Sequence, residues 1–166
     1  MLSYNHCAAE FDEGQMSREI LLKKACLETS GTETLKISNG RVLLMDDEDM
    51  IRNIAGLMLM RLSYESEASQ EGAEAINIYR QAMDCQCPFD AVILDLNVKE
   101  GLGGLDTIKT LKTIDPQVKA IISSGFSNDP AMMRFKEYGF TGTLPKPYKM
   151  ADIKDELHKL MALRHK

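Results

Sequence analysis

Short apolar runs alternate with helical repeats from residue 41 to residue 164, and this alternation restricts the fold more than any other feature. The continuous runs are 42–45, 91–94 and 120–122, with weaker ones around 65–68 and 141–144. Runs without polar alternation are typical of parallel strands that are covered on both faces. Five strands alternating with five helices predict an α/β fold, a (βα)5 doubly wound five-stranded parallel sheet. The fourth helix is predicted to begin at Asp129 and Pro130, an N-cap and an N1 proline, and to continue through Tyr138.

The first 40 residues do not follow this pattern. Residues 17–27 have the spacing of an amphipathic helix, and residues 28–40 are rich in Ser, Thr and Gly, as linkers are. A chain of 166 residues is long enough for one domain of ordinary size. We therefore expect an N-terminal extension at 1–40, with one helix and a linker, and a single domain at 41–166.

The charge and hydropathy of the chain exclude several classes of partner. A formal net charge of -5 argues against direct binding to nucleic acid or to an anionic membrane surface. No apolar run approaches the roughly 20 residues of a membrane span. The N-terminus lacks the basic-then-apolar layout of a signal peptide, which predicts a cytoplasmic protein.

Acidic residues follow two of the predicted strands. Glu48 and Asp49 are explained as helix-capping residues, but Asp46 and Asp47 adjoin the first strand directly, and Asp95 ends the third. In open parallel sheets ligands bind at the carboxyl ends of the strands, where the strand order reverses. Several carboxylates at that edge suit Mg²⁺, a hard cation with oxygen ligands.

A hydroxyl group and an ammonium group are expected at the same edge. Ser124 follows the fourth strand, and Lys146 follows the fifth. Mg²⁺ and a lysine together offset the repulsion between a carboxylate and a phosphoryl donor, and a hydroxyl group donates to a further phosphoryl oxygen. The set therefore indicates phosphoryl transfer to Asp95, with Ser124 able to respond to the product.

The combination of Asp46-Asp47, Asp95, Ser124 and Lys146-Pro147 resembles the motif set of the response-regulator receiver domain of two-component signalling. The spacings are 48, 29 and 22 residues from Asp47 through Asp95 and Ser124 to Lys146. The resemblance covers about residues 41–164 and is strongest to receivers attached to hybrid sensor histidine kinases. It implies the flavodoxin-like strand order 2-1-3-4-5.

The resemblance also implies the role of each site residue. Asp95 is then the phosphoacceptor, and Ser124 and Lys146 are the switch hydroxyl and the phosphate-binding lysine, with a cis bond before Pro147. The implied Mg²⁺ ligands are Asp46 (through water), Asp47, Asp95 and the backbone carbonyl of Asn97. Such a domain is not an enzyme acting on other substrates, but it catalyses its own phosphorylation and dephosphorylation and switches conformation. The implied partner is a histidine kinase or histidine phosphotransfer protein in a phosphorelay, and a phosphorylation-dependent homodimer is compatible with this assignment.

Three positions depart from the family pattern. Lys99 stands where proline is usual, Gly125 where alanine is common, and Thr143 where an aromatic switch residue is common. Without that aromatic ring, we expect the signal to travel through the loop after Ser124, with Phe126 the nearest large apolar group.

Two other functions are compatible with the fold. A dehalogenase-type aspartyl phosphotransferase also uses a strand-end aspartate and Mg²⁺, but it needs a second acid where this chain has Asn97. A phosphate-independent interaction module on a receiver fold would not need the acid, hydroxyl and lysine set, which is complete here.

Overall fold

The computed structural model describes residues 38–126 and 128–162, and these residues form five strands and five helices. The elements in chain order are β1 (Gly40–Met45), α1 (Asp49–Arg61), β2 (Tyr64–Ser69), α2 (Gly72–Asp84), β3 (Ala91–Asp95), α3 (Gly104–Ile114), β4 (Ala120–Ser124), α4 (Pro130–Met133), β5 (Gly142–Pro145) and α5 (Met150–Ala162). The helix predicted at 17–27 lies outside the described residues, and the division of the chain at residue 40 stays a prediction.

All strand pairs are parallel, and the order across the sheet is β2-β1-β3-β4-β5. The predicted fold class and strand order are therefore confirmed. The chain runs from β1 outward to β2 and then returns to β3 on the other side of β1. The strand order reverses between β1 and β3, so the carboxyl ends of these two strands flank the crevice where ligands of such sheets bind.

Each face of the sheet is covered by its own layer of helices. Along β1, Val42 and Leu44 pack with α1 and α5, whereas Leu43 and Met45 pack with α2, α3 and α4. Successive residues of a strand point to opposite faces, so a strand buried on both faces is a continuous apolar run. Burial on both sides is thus the physical reason for the runs in the sequence.

The fourth helix is shorter than its sequence predicts. The Asp129 carboxylate accepts a hydrogen bond from the Ala131 N–H at 2.8 Å, which confirms the predicted cap, but the helix ends at Met133. Residues 134–139 instead form turns, in which the N–H groups of Glu137, Tyr138 and Gly139 each bond to the carbonyl three residues earlier. Gly139 has a φ of +91° and lies so close to α3 that a Cβ there would be 2.6 Å from Cε of Lys112. The close approach of Gly139 to α3 and the packing of Phe135 and Tyr138 on the core favour these turns over a continuation of the helix.

No helix among residues 38–126 and 128–162 is long and apolar enough to cross a membrane.

Candidate functional site

The structure brings the predicted strand-end residues together at one edge of the sheet. Nζ of Lys146 lies 2.7 Å from Oδ2 of Asp46 and 2.9 Å from Oδ2 of Asp95. Asp46 and Asp95 continue the alternation of β1 and β3, so their side chains point to the face covered by α1 and α5. One ammonium group therefore bridges two carboxylates that come from neighbouring strands.

This ion-paired cluster is almost fully enclosed by protein. The residues Asp46 and Asp95 are 0% and 3% exposed, and the side chain of Lys146 is 10% exposed. Burial raises the pKa of Asp95 above its ordinary value, and the Asp46 charge adds to the rise, whereas Lys146 opposes it. Burial acts to lower the pKa of Lys146, but the two carboxylates outweigh it and hold that pKa above its usual range. The ammonium group thus remains charged at neutral pH.

The acidic cluster offers oxygen atoms for a cation. Asp46, Asp47 and Glu48 each place a carboxylate oxygen within 4.8 Å of the others. Oδ1 of Asp46 accepts the Glu48 N–H at 3.0 Å, whereas its enclosed Oδ2 makes no hydrogen bond of ordinary geometry with any described residue. A buried carboxylate oxygen with only an ion-pair contact, beside two further carboxylates, fits the oxygen-rich coordination of Mg²⁺. The presence of Glu48 in the cluster was not predicted, because its sequence position suggested only helix capping.

Asp47 also faces the loop that follows β3. Its Oδ2 is 3.4 Å from the Lys99 backbone nitrogen and 3.9 Å from Lys99 Nζ. The sequence singled out Lys99 as a departure from the family but did not predict this contact. Asn97, two residues earlier, donates its backbone N–H to the Asp95 carboxylate, while a metal-binding role for its carbonyl stays a prediction.

Glu71 holds the far end of this loop. Its carboxylate accepts hydrogen bonds from the backbone N–H groups of Ala73 and Glu74, and so caps α2. The same carboxylate accepts the Leu102 N–H at 3.2 Å. The backbone N–H bonds that it accepts, that of Ala73 first, lower the pKa of Glu71. One ionised side chain therefore fixes both the start of α2 and the loop that carries Asn97 and Lys99.

Ser124 lies at the carboxyl end of β4, as predicted. Its side chain is fully buried, and its Oγ accepts the Phe126 N–H at 3.1 Å. Its carbonyl oxygen accepts the Lys146 N–H at 2.9 Å, which joins the end of β4 to the residue after β5. Ser124 is therefore connected both to the loop before α4 and to the lysine of the site.

The sequence did not predict a pair of hydrogen-bonded hydroxyl groups that lies beside this site. Oγ of Ser123 and Oη of Tyr148 lie 2.7 Å apart. Burial raises the pKa of Tyr148 to about 12, and the charges of Lys146, Asp46 and Asp95 also act on it. The alternation of side chains along β4 could have indicated the position of Ser123, because it lies two residues after the buried Ile121 and so points to the same face of the sheet. In the strand register Ser123 is paired with Asp95. The bond between Lys146 and Pro147, expected to be cis, is cis.

Comparison with known proteins identifies the family. The model of the response regulator receiver domain matches residues 42–158. The chain belongs to the response regulator receiver family. This receiver domain is 25% identical over 126 residues to sporulation initiation phosphotransferase F of Bacillus subtilis, covering 76% of this chain and 97% of that protein. It is 26% identical over 121 residues to the chemotaxis protein CheY of Thermotoga maritima, covering 72% of this chain and 96% of that protein.

Solved receiver structures share the fold. The receiver domain of the sensor histidine kinase PA1611 from Pseudomonas aeruginosa, crystallised with a magnesium ion in its active-site cleft, superposes with a TM-score of 0.66. It is 18% identical and covers 75% of this chain and 99% of that chain. A receiver domain protein from Clostridium thermocellum is 24% identical, with a TM-score of 0.65 over 75% of this chain and 95% of that chain. The attachment to a hybrid kinase, as the sequence resemblance suggested, stays a prediction.

Proposed function

We propose that this receiver domain accepts a phosphoryl group on Asp95 from a phosphohistidine of a histidine kinase or histidine phosphotransfer protein. The observation that carries the proposal is the buried Lys146 ammonium held between Asp46 and Asp95. In the proposed reaction, an ionised Asp95 oxygen attacks phosphorus, and the P–N bond to the donor histidine breaks. The electron pair of that bond leaves with the imidazole nitrogen.

Side chains of this domain prepare the site for that attack. Lys146 neutralises one of the two neighbouring carboxylates and presents a fixed positive charge to an incoming phosphoryl oxygen. Ser124 keeps its own proton to donate while it accepts the Phe126 N–H. Mg²⁺, held directly by Asp47, Asp95 and the Asn97 carbonyl and through water by Asp46, would supply the remaining positive charge at the phosphoryl oxygens.

The direct test is to incubate the protein with acetyl phosphate and Mg²⁺ and to measure its intact mass and the modified residue. We expect an adduct equal in mass to HPO₃, located on Asp95, that decays when the donor is removed. Absence of the adduct under conditions that label a known receiver would contradict the proposal. Sustained release of phosphate from phosphate esters without any adduct would instead favour the dehalogenase type of chemistry.

We expect Asp47→Asn to weaken Mg²⁺ binding by at least about tenfold, because it replaces a direct carboxylate ligand by a neutral amide. Without metal the variant should be more stable than the wild type, because one of several neighbouring negative charges is gone. Isothermal titration calorimetry and urea denaturation measure the two effects. Asp106→Asn is the matched control, since Asp106 is an exposed acid of α3 outside the acidic cluster and its loss should leave the affinity unchanged. Equal affinity in the wild type and Asp47→Asn would overturn the metal assignment.

The helix that borders the acidic cluster is α1, which begins at Asp49, directly after Glu48. This helix leaves Met50, Ile54, Leu57 and Met60 exposed, by 72%, 45%, 57% and 63%. Exposed apolar side chains that share a helix are typical of surfaces that pack on a partner helix. We therefore assign this helix face to the phosphohistidine-bearing helix of the donor.

We expect Leu57→Asp to slow phosphorylation by a phosphorylated histidine phosphotransfer domain by about tenfold or more, because it places a charge in the apolar contact. Labelling by acetyl phosphate should be unchanged, because a small donor needs no contact with α1. Met83→Asp is the control, because it places the same charge at an exposed methionine of another helix, α2. The docking assignment would be contradicted if Leu57→Asp slowed phosphorylation by both donors equally, or if it slowed phosphorylation by neither donor.

The proposed conformational switch begins at Ser124. A phosphoryl group on Asp95 attracts the Ser124 hydroxyl, since a hydrogen bond to a charged group is worth about 1.5–3 kcal/mol. Movement of Ser124 alters its bond to the Phe126 N–H and thus the loop before α4. Phe126 is 73% exposed and free to repack, which supports the route through this loop.

A further inference from the structure

Two hydroxyl groups that the reaction above does not use meet beside the ion-paired carboxylates. Ser123 is fully buried, and its Oγ lies 2.7 Å from Oη of Tyr148. Because Ser123 is paired with Asp95 in the β3–β4 register, the two side chains lie on the same face of the sheet. The charge of Lys146 also acts on the Tyr148 hydroxyl and opposes the rise of its pKa. The hydroxyl pair thus adjoins the cluster without belonging to the reacting atoms.

The pair fixes one end of the short loop that carries the lysine. At the start of this loop the Lys146 N–H donates to the Ser124 carbonyl at 2.9 Å. At its end the Tyr148 hydroxyl bonds to Ser123. Two consecutive residues of β4 therefore hold Lys146 and Tyr148. The side chain that carries the ammonium group begins at the first of these two anchored residues.

The hydroxyl of Tyr148 has a role separate from that of its ring. The ring packs partly buried against the core between the sheet and the layer of α1 and α5, and phenylalanine would preserve that packing. Among the described residues, the Tyr148 hydroxyl is the hydrogen-bond partner of the buried Ser123 Oγ, and a buried hydroxyl without a partner is unfavourable. The hydrogen bond therefore connects the end of this loop to β4 in a way that the ring alone does not.

We propose that Tyr148 is a positioning residue of the phosphoacceptor site, which acts through its hydrogen bond to Ser123 to hold the Lys146 ammonium between Asp46 and Asp95. This inference rests on the proposed function for its effect on rate, but not for its effect on the lysine. A loosened loop lets the ammonium group leave one carboxylate, and the charge that should meet the phosphoryl group is then out of place.

The test compares Tyr148→Phe, Ser123→Ala and the double variant with the wild type. Tyr79→Phe is the matched control, because the Tyr79 hydroxyl donates a comparable bond of 2.8 Å to Asp115 far from the site. In metal-free protein, we expect the ¹⁵N signal of the Lys146 ammonium to be sharp in the wild type and in Tyr79→Phe, and broadened in Tyr148→Phe. With Mg²⁺, we expect the labelling rate at saturating acetyl phosphate to fall about tenfold in Tyr148→Phe. The half-saturating donor concentration should stay the same.

The double variant should be no slower than either single variant, because all three lack the same bond. Additive losses, or an unchanged Lys146 signal in Tyr148→Phe, would overturn the proposal. So would a rate that falls equally in Tyr79→Phe, because it would show a general loss of stability. If the wild type is not labelled on Asp95, the proposed function fails, whereas the metal-free signal still decides whether Tyr148 holds the lysine.

Discussion

Asp95→Asn is expected to lower labelling by acetyl phosphate by at least about a thousandfold, because it removes the attacking oxygen. We do not expect Asp46, which shares Lys146 with Asp95, to replace it, since Asp46 is already bonded to the Glu48 N–H and paired with Lys146. Intact mass spectrometry over a time course measures the loss. Asp106→Asn, which changes an exposed acid of α3, serves as control and should be labelled at the normal rate. An Asp95→Asn protein that still gains phosphate would show that the acceptor is another residue.

The same variant should keep its fold and change the pH dependence of stability. Burial raises the pKa of Asp95 in the folded protein, so the folded state holds the proton more tightly than the unfolded state does. The contribution of the Asp95 carboxyl group to the free energy of unfolding is fully present below the ordinary carboxyl pKa. It is lost as the pH rises through the raised pKa of Asp95 in the folded protein. Asp95→Asn cannot lose that proton, so urea denaturation should show a smaller fall in stability across this interval.

Lys146→Met is expected to lower the free energy of unfolding by about 3 kcal/mol at neutral pH, because it leaves two buried carboxylates without their shared cation. Phosphorylation should fall as strongly as it does in Asp95→Asn. Mg²⁺ should restore part of the stability, since it places positive charge near the same oxygens. Urea denaturation with and without Mg²⁺ measures both effects, and Lys109→Met, which breaks an exposed pair with Asp106, is the control.

The destabilisation by Lys146→Met should depend on pH in a defined direction. Lys146 lowers the pKa of Asp95, so its removal lets that pKa rise further. The stability difference between variant and wild type should therefore be largest at neutral pH and shrink as the pH falls towards the ordinary carboxyl range. A difference that is constant over this range would contradict the ion-pair account.

The part of the site that could be predicted from the sequence is the part that follows directly from strand position. Asp46 and Asp95 adjoin buried apolar runs, and parallel strands bring their carboxyl ends to one edge. Ser124 and Lys146 were predicted at the same edge only in combination with these acids, because a serine or a Lys-Pro pair alone is common in loops.

Other features depend on distances that no local pattern contains. The bond between Ser123 and Tyr148 requires the register of β3 and β4 and the path of the loop after β5. The contact of Lys99 with Asp47 joins residues 52 positions apart. The early end of α4 follows from the packing of Gly139 against Lys112, whereas the spacing of Phe135 and Tyr138 alone favoured a longer helix.

Ser123 and Ser124 end the same strand but serve opposite sides of the sheet. Ser123 is bonded to Tyr148, just before α5, and Ser124 is bonded to the loop before α4. We therefore expect a displacement of this strand end to reach both helical layers, through Ser123 on the side of α1 and α5 and through Ser124 on the side of α4. Both serines are also bonded to the loop that carries Lys146. A substitution of either serine should therefore change the response on both faces of the sheet, because the two connections share one strand end and one loop.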